Sequence, residues 1–385
     1  MPDSPVLAVI GGGQLARMMA QPAIALGLPL RLLAEAEGVS AAQVVVDHLV
    51  GDYRDLPTLR RATAGASVVT FDHEHVPTEH LRALEADGLA VRPGPAALVH
   101  AQDKAVMRER LSAMGVPCPR HAVVSDVEDV TAFGYPCVLK TTRGGYDGKG
   151  VWVVRGPEDC EEAFSAAGTA GVRILAEELV DFRRELSALV ARSPSGQAAA
   201  YPVVASTQLD GICHEVVAPA PDLDEDLAGQ AQALALRVAG ELGVTGILAV
   251  ELFETTDGRI LVNELAMRPH NTGHWTQDGA VTSQFENHLR AVMDLPLGSP
   301  APRSRWTVMV NILGGPHPDV GRLYDGLPHA LARDPHLRVH LYGKQMRPGR
   351  KVGHVNAYGE DLEDCLERAR HAAAWFRGDL GDESE

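Results

Sequence analysis

Lysine is the scarce residue of this chain. Of its 35 basic residues only five are lysine, Lys104, Lys140, Lys149, Lys344 and Lys351, and the remaining thirty are arginine. With arginine serving the surface, a retained lysine points to a need for a compact ammonium. The placement sharpens this: Lys140 and Lys149 flank a glycine-rich loop, TTRGGYDGKG (141–150), and Lys344 and Lys351 flank a second turn, YGKQMRPGRK. Cysteine is also sparse. Five scattered cysteines, odd in number and never in CxxC pairs, argue against a disulfide framework or a zinc site and predict a reducing, cytoplasmic setting. No segment reaches the ~18 uninterrupted apolar residues of a membrane span. The start, MPDSPVLAVIGGG, lacks the basic region and long apolar run of a signal peptide. Positive charge is in deficit, 35 − 51 = −16, so no nucleic-acid partner is expected and an anionic substrate would need locally gathered cations.

What is present is an ordinary globular composition: 385 residues, 45% hydrophobic and 22% charged, with room for two or three domains. Strands are expected over 5–10, 28–35, 44–52 and 66–72, alternating with helices, which predicts a parallel sheet with crossover helices. RPGPAAL (92–98) reads as a domain boundary, followed by one helix from 101 to Gly115. Strands around HAVVSD, PCVLKTT, GVWVVR, RILAEELV and RRELSALVAR then run in an α+β manner, with a helix near 157–167. A long helix over 224–243 precedes ILAVELF and RILVNELA, which are joined through TTDG. A Pro/Gly/Ser-rich linker at 294–304 leads to a smaller unit ending in a helix, EDLEDCLERARHAAAWFRG.

Several constellations carry chemistry. Gly11, Gly13 and Ala16 stand at G-x-G-x-x-A spacing with Glu35 about 20 residues on, which fits a dinucleotide-binding turn, another anion-binding turn or a purely structural one. TTRGGYDGKG lacks the Walker A spacing and reads as a hairpin loop able to fold over phosphates. Gly148 and Lys149 would then lie near the nucleotide, with Tyr146 and Asp147 facing a substrate on closure. If Asp257-Gly258 is a two-residue type I′ turn, Thr256 faces Arg259 and Glu251 falls opposite Glu264. Opposed carboxylates repel, so a cation between them is expected. Mg²⁺ fits best, with Asn263 beside the pair; a different register or a salt bridge to Arg268 is the alternative. AEELV (176–180) and the following RREL can offer backbone to an adenine edge and Glu185 to ribose hydroxyls. Arg268, His270, Asn271 and His274, in a loop, read as substrate contacts rather than zinc ligands. Lys344, Arg350 and Lys351 around one turn read as a phosphate clamp.

GGYDGKG, EELVDFRREL, NELAMRPHNTGHWTQDGA and RPGRKVGHVN together resemble the ATP-grasp superfamily and, within it, the N5-carboxyaminoimidazole ribonucleotide synthetase family of purine biosynthesis. The resemblance spans nearly the whole chain. It implies a mixed α/β and α+β fold of three domains: Rossmann-like (1–98), ATP-grasp (99–300) and a small C-terminal domain (301–385). It also implies ATP and Mg²⁺, bicarbonate and 5-aminoimidazole ribonucleotide as substrates, and a homodimer. By match to the family motifs, Lys104 and Lys140 would contact ATP phosphates, Glu177, Glu178, Leu179 and Val180 would form the adenine hinge, and Glu185 would bind the ribose. Glu251 and Glu264 would hold Mg²⁺ beside Asn263. Gln14, Glu74, Tyr146, Asp147, Arg268, His270, Asn271, Lys344, Arg350 and Lys351 would surround the imidazole nucleotide and bicarbonate, with Asp147 the first candidate for the base. One departure stands out: ASTQLDGI places Gln208 where the family often has a histidine. The competing readings are another purine-pathway ATP-grasp ligase, of the formate-dependent glycinamide ribonucleotide transformylase type, an NAD-dependent oxidoreductase, and a nucleotide-binding regulator without activity.

Overall fold

The computed structural model describes residues 4–145, 148–315 and 323–380. The first four expected strands form, trimmed at their ends, as Leu7–Ile10, Leu30–Ala34, His48–Val50 and Val68–Phe71, joined by Ala90–Val91. They pair in parallel with Leu7–Ile10 at the centre. The run LAVI is buried throughout, as a strand covered by helices on both faces must be.

The single helix expected over 101–115 is two. Pro95–Gln102 ends at Asp103, whose backbone is extended (φ −134°, ψ 110°), and Lys104–Ala113 begins at once. The Asp103 carboxylate accepts from the N–H groups of Ala105 and Val106 at 3.0 and 3.3 Å, the geometry of an N-cap. A capping aspartate inside an otherwise helical pattern therefore restarts the helix, and Lys104 becomes its first residue.

The next unit is a small antiparallel sheet in the order His121–Val124, Ile174–Glu178, Cys137–Thr141, Val151–Val154. Lys140 pairs with Val151, so TTRGGYDGKG does connect two hairpin strands. A nine-stranded antiparallel sheet follows, built on Phe182–Arg192, Gly246–Thr255 and Ile260–Ala266. The strands after residue 305, Trp306–Leu313, Arg338–Leu341 and Lys351–Gly359, extend this same sheet through Ile212–Ala218 rather than forming one of their own. The long helix is Glu225–Glu241, capped by Asp224, and the last is Leu362–Arg377, closed by Gly378 at φ 78°. Among the described residues no helix is long and apolar enough to cross a membrane.

Two features lock the N-terminal sheet to the rest. The helix Gln14–Leu26 shares an apolar core with Phe285, Leu289 and Val292 of the helix Gln284–Val292, and with Tyr342. His288, fully buried, accepts from the Ile247 N–H at 3.1 Å through Nδ1, which leaves Nε2 to donate to Thr70 Oγ1 at 2.8 Å. Burial pushes this imidazole down to about 3, so it bridges the two units as a neutral group.

Candidate active site

Glu251 and Glu264 are direct cross-strand partners. The pairing expected from the sequence holds, but the turn expected to produce it does not. Thr255 donates its N–H to Arg259 O at 2.9 Å, and Gly258 takes φ 81°, closing a turn of three residues, 256–258. That turn pairs Glu254 with Ile260 and Leu252 with Val262, a register that alone would oppose Glu251 to Asn263. A bulge then leaves Asn263 unmatched and brings Glu264 opposite Glu251. The bulge also aims consecutive side chains toward the same place. Asn263 Oδ1 accepts from Lys140 Nζ at 3.1 Å, while Lys104 Nζ pairs with the Glu264 carboxylate.

The opposed carboxylates are compensated individually, not by Arg268. Lys104 holds Glu264, and His270 Nε2 lies 3.1 Å from Glu251. Burial opposes the charge on Lys104, but Glu264, with Glu177 and Glu251, outweighs it and raises the ammonium's pKa. Burial likewise works against ionised Glu251, and His270, Lys104 and Lys351 prevail, holding that carboxyl low. Arg268 instead lies 3.4 Å from Glu74, whose other oxygen accepts from the Met267 N–H at 2.5 Å. The donor set of two carboxylates and an amide oxygen suits Mg²⁺, a hard ion that completes its shell with phosphate and water. Among the described residues no group of three or more His, Cys, Asp or Glu is placed to hold a metal ion, so the pair would need Asn263 and non-protein ligands to complete a shell.

Behind this pair stands a group that the sequence reading missed. Arg108 is fully buried and pairs with Glu177 at 2.5 Å, while its other nitrogens donate to Val262 O and Asn263 O at 2.9 and 2.7 Å. Lys140 Nζ meets the second Glu177 oxygen at 2.7 Å. Burial would raise the Glu177 carboxyl, yet Arg108 and Lys140 hold it at about 2. The Glu177 side chain is thus committed to the protein, and only its main chain, with Glu178, Leu179 and Val180 at the strand's exit, is left to meet a ligand. The signal for Arg108 was available: it lies four residues after Lys104, on the same helix face.

Glu185 sits across the strands from Ser206 and Phe253. Burial and the nearby Glu251 push its carboxyl up to about 7, against a hydrogen bond with Gln208 and the pull of Lys140. Gln208 therefore lies at the site, on Glu185. Asn271 is buried beside Cys213, whose thiol burial pushes to about 12, and His274 is fully buried, accepting from Gln284 through Nδ1 at 3.0 Å. His270 is oriented by Thr272, whose hydroxyl lies 2.9 Å from Nδ1 and 2.8 Å from Ser187 Oγ. Lys344 Nζ contacts the Gln14 amide oxygen, and Arg350 and Lys351 close the turn that follows. Gly148 takes φ 75° and leads the loop against Asp210 and Gly211, with Lys149 next to it. Tyr146 and Asp147 lie outside the described residues.

The glycine turn near the N-terminus is already filled by the chain's own carboxylates. Asp72 accepts from the N–H groups of Gly13 and Ala16 at 3.1 and 2.8 Å, and Glu35 accepts from Gly12 at 3.0 Å. A Cβ on Gly13 would come within 2.2 Å of Asp72 Oδ2. The acceptor that this turn receives is Asp72, whose carboxyl burial pushes up, and Glu35 is engaged there and by His73 at 3.5 Å rather than offered to a ribose. The dinucleotide reading is thereby overturned.

Three family models match in succession: a ribonucleotide synthetase preATP-grasp domain over residues 6–102, an ATP-grasp domain over 109–285, and a phosphoribosylaminoimidazole carboxylase C-terminal domain over 307–368. The N5-carboxyaminoimidazole ribonucleotide synthase of Mycobacterium tuberculosis is 57% identical over 377 residues, covering 97% of this chain and 88% of that protein. The chain belongs to the N5-carboxyaminoimidazole ribonucleotide synthase family. The synthetase of that name from Thermus thermophilus has a crystal structure that superposes with a TM-score of 0.85 at 38% identity, covering 98% of this chain and all of the other. The enzyme from Aspergillus clavatus in complex with ADP and 5-aminoimidazole ribonucleotide gives a TM-score of 0.88 at 30% identity, covering 98% and 99%. The C-terminal match, to the phosphoribosylaminoimidazole carboxylase domain, favours the synthase family over the formate-dependent transformylase alternative.

Proposed function

We propose that the chain carries out the reaction for which its family is named, the ATP-dependent carboxylation of 5-aminoimidazole ribonucleotide on its exocyclic amine in purine biosynthesis. One observation carries the reading. The 268–270 strip joins two clusters, with Arg268 reaching Glu74 of the N-terminal domain and His270 reaching Glu251 of the carboxylate pair. A phosphoryl-transfer centre and a second-substrate surface are thus contiguous, as a ligase that hands an activated group from one to the other requires.

Lys104 and Lys140 supply fixed positive charge to the triphosphate, and Glu177 to Val180 supply main chain to the adenine. Glu185 lies beside Gln208 for the ribose. Glu251 and Glu264, with Asn263, would hold Mg²⁺, which would supply neutralisation of phosphate charge. A bicarbonate oxygen displaces ADP from the γ-phosphorus to give carboxyphosphate. The exocyclic amine then takes the carboxyl carbon, either directly or as released CO₂, expelling phosphate and losing a proton. Gln14, Glu74, Arg268, His270, Asn271, Lys344, Arg350 and Lys351 orient the imidazole nucleotide and bicarbonate. Because water destroys an acyl phosphate, closure of the TTRGGYDGKG loop (141–150) would serve to exclude it. The reading carries with it the three-domain division at 98/99 and 300/301, a homodimer and a cytoplasmic setting, the last supported by five unpaired cysteines.

The test is ADP release with ATP, Mg²⁺, bicarbonate and 5-aminoimidazole ribonucleotide, each omitted in turn. Release should require all four. ADP formation indifferent to the imidazole nucleotide would overturn the assignment, and light scattering gives the oligomeric state on the same sample.

A further inference from the structure

Lys344 lies on an irregular connection between the strands Arg338–Leu341 and Lys351–Gly359. A lysine on such a segment has many rotamers and a mobile base to spread them from. Here the base is gripped. Ser40 Oγ donates to Tyr342 O at 2.6 Å, and Gln43 Nε2 donates to Gly343 O at 2.8 Å. Both carbonyls belong to the two residues before Lys344, and both donors come from the N-terminal domain.

The grip is itself supported. Arg17, on the helix Gln14–Leu26, donates through one nitrogen to Ser40 O at 2.8 Å and to Gln43 Oε1 at 3.2 Å. This fixes the amide of Gln43 so that its nitrogen faces Gly38 O, at 2.9 Å, and Gly343 O. Ala41 donates to Gly12 O at 2.8 Å, tying the 38–45 loop to the turn that carries Gln14. Gln14 then accepts from the Lys344 ammonium. The contacts form a closed ring from Gln14 through the 38–45 loop to Lys344 and back. Gly343 is required in it: its φ is 65°, and a Cβ there would lie 2.2 Å from Gln43 Oε1. Tyr342 anchors the segment by burying fully in the N-terminal core.

We infer that Ser40, Gln43 and Arg17 are positioning residues that set the place of Lys344 and so tune recognition of the phosphorylated imidazole substrate without touching it. This rests on the reading of Lys344 as a substrate contact. Ser40 and Gln43 grip only main chain next to that lysine, so their loss should act on one substrate and not on the other. Losing one such hydrogen bond should raise KM for 5-aminoimidazole ribonucleotide on the order of tenfold, with KM for ATP held within about twofold.

The experiment is steady-state kinetics on the full chain for Ser40→Ala, Gln43→Ala, Ser40→Thr, Lys344→Ala and the double variant Lys344→Ala/Gln43→Ala, each with a melting curve. Ser40→Ala and Gln43→Ala should raise KM for the imidazole nucleotide alone, and Ser40→Thr, which keeps the hydroxyl, should restore it. In the double variant the clasp substitution should add nothing beyond Lys344→Ala, because the two act as one unit. If Lys344→Ala raises that KM while both clasp variants leave it unchanged, the clasp falls and the reading of Lys344 stands. Additive effects in the double variant, or a parallel rise in KM for ATP, would equally overturn it. If Lys344→Ala itself leaves KM unchanged, the reading of Lys344 falls and the inference with it.

Discussion

Glu251 and Glu264 face each other across a hairpin only because Asn263, between Val262 and Glu264, is skipped in the strand register. Each carboxylate is paired with a different neighbour, Glu264 with Lys104 and Glu251 with His270. Changing Glu264 to Gln keeps its shape and removes the charge that would face Mg²⁺. ATP turnover should fall by on the order of 100-fold or more, the usual loss when one member of an electrostatic clamp is removed. Retention of full ADP release by Glu264→Gln would sink the metal assignment.

Arg108 and Glu177 form a buried pair with Lys140 on its flank. Replacing one member leaves an undercompensated charge in the interior and frees the carbonyls of Val262 and Asn263. Arg108→Met should therefore destabilise the fold by roughly 3 kcal/mol or more, read as a drop in the urea midpoint. A midpoint within error of the parent would mean that the pair contributes no net stability.

His288 ties the two large units together as a neutral imidazole, with its pKa lowered from 6.5 to about 3 by burial. The unfolded chain binds a proton here below 6.5 and the folded chain does not until about 3. The stability this site contributes is therefore present above pH 6.5 and lost as pH falls toward 3. Its share of the slope approaches ~1.4 kcal/mol per pH unit within that window. Unfolding free energies measured from pH 7 to 4 should fall less steeply in His288→Gln than in the parent; equal slopes would refute the assignment.

Gly13 has ordinary backbone angles (φ −79°, ψ −166°), so its need for glycine is one of space. Gly13→Ala places a methyl against the Asp72 carboxylate and should cost about 1–3 kcal/mol as an overpacking change. Parent protein titrated with NADH should show no fluorescence enhancement, because Asp72 already occupies the amides a pyrophosphate would use. Saturable NADH binding abolished by Gly13→Ala would reverse that conclusion.

Much of the site was legible from residue pattern. The lysine scarcity singled out Lys140 and Lys344 by their clusters, the family resemblance added Lys104, and each of the three meets a group of the candidate site. The Glu251–Glu264 pairing followed from period-2 geometry, although two errors cancelled: a turn one residue longer than expected, and a bulge that restored the register. The glycine fingerprint left three readings open, because spacing does not record which acceptor meets the turn. Arg108 has only its spacing of four from Lys104 to mark it, because composition does not separate a buried arginine from the surface ones in a chain with thirty.

By itself the sequence determined the strand and helix alternation and which side chains have the chemistry to hold a phosphate. Those depend on periodicity and on local backbone preferences, which act within a few residues. Tertiary structure alone decided that Asp72 fills the glycine turn, that the C-terminal strands continue the central sheet, and that Ser40 and Gln43 reach across some 300 residues to hold the base of Lys344. Such contacts join segments whose separation along the chain carries no periodic signal, and only the burial of a shared core brings them together.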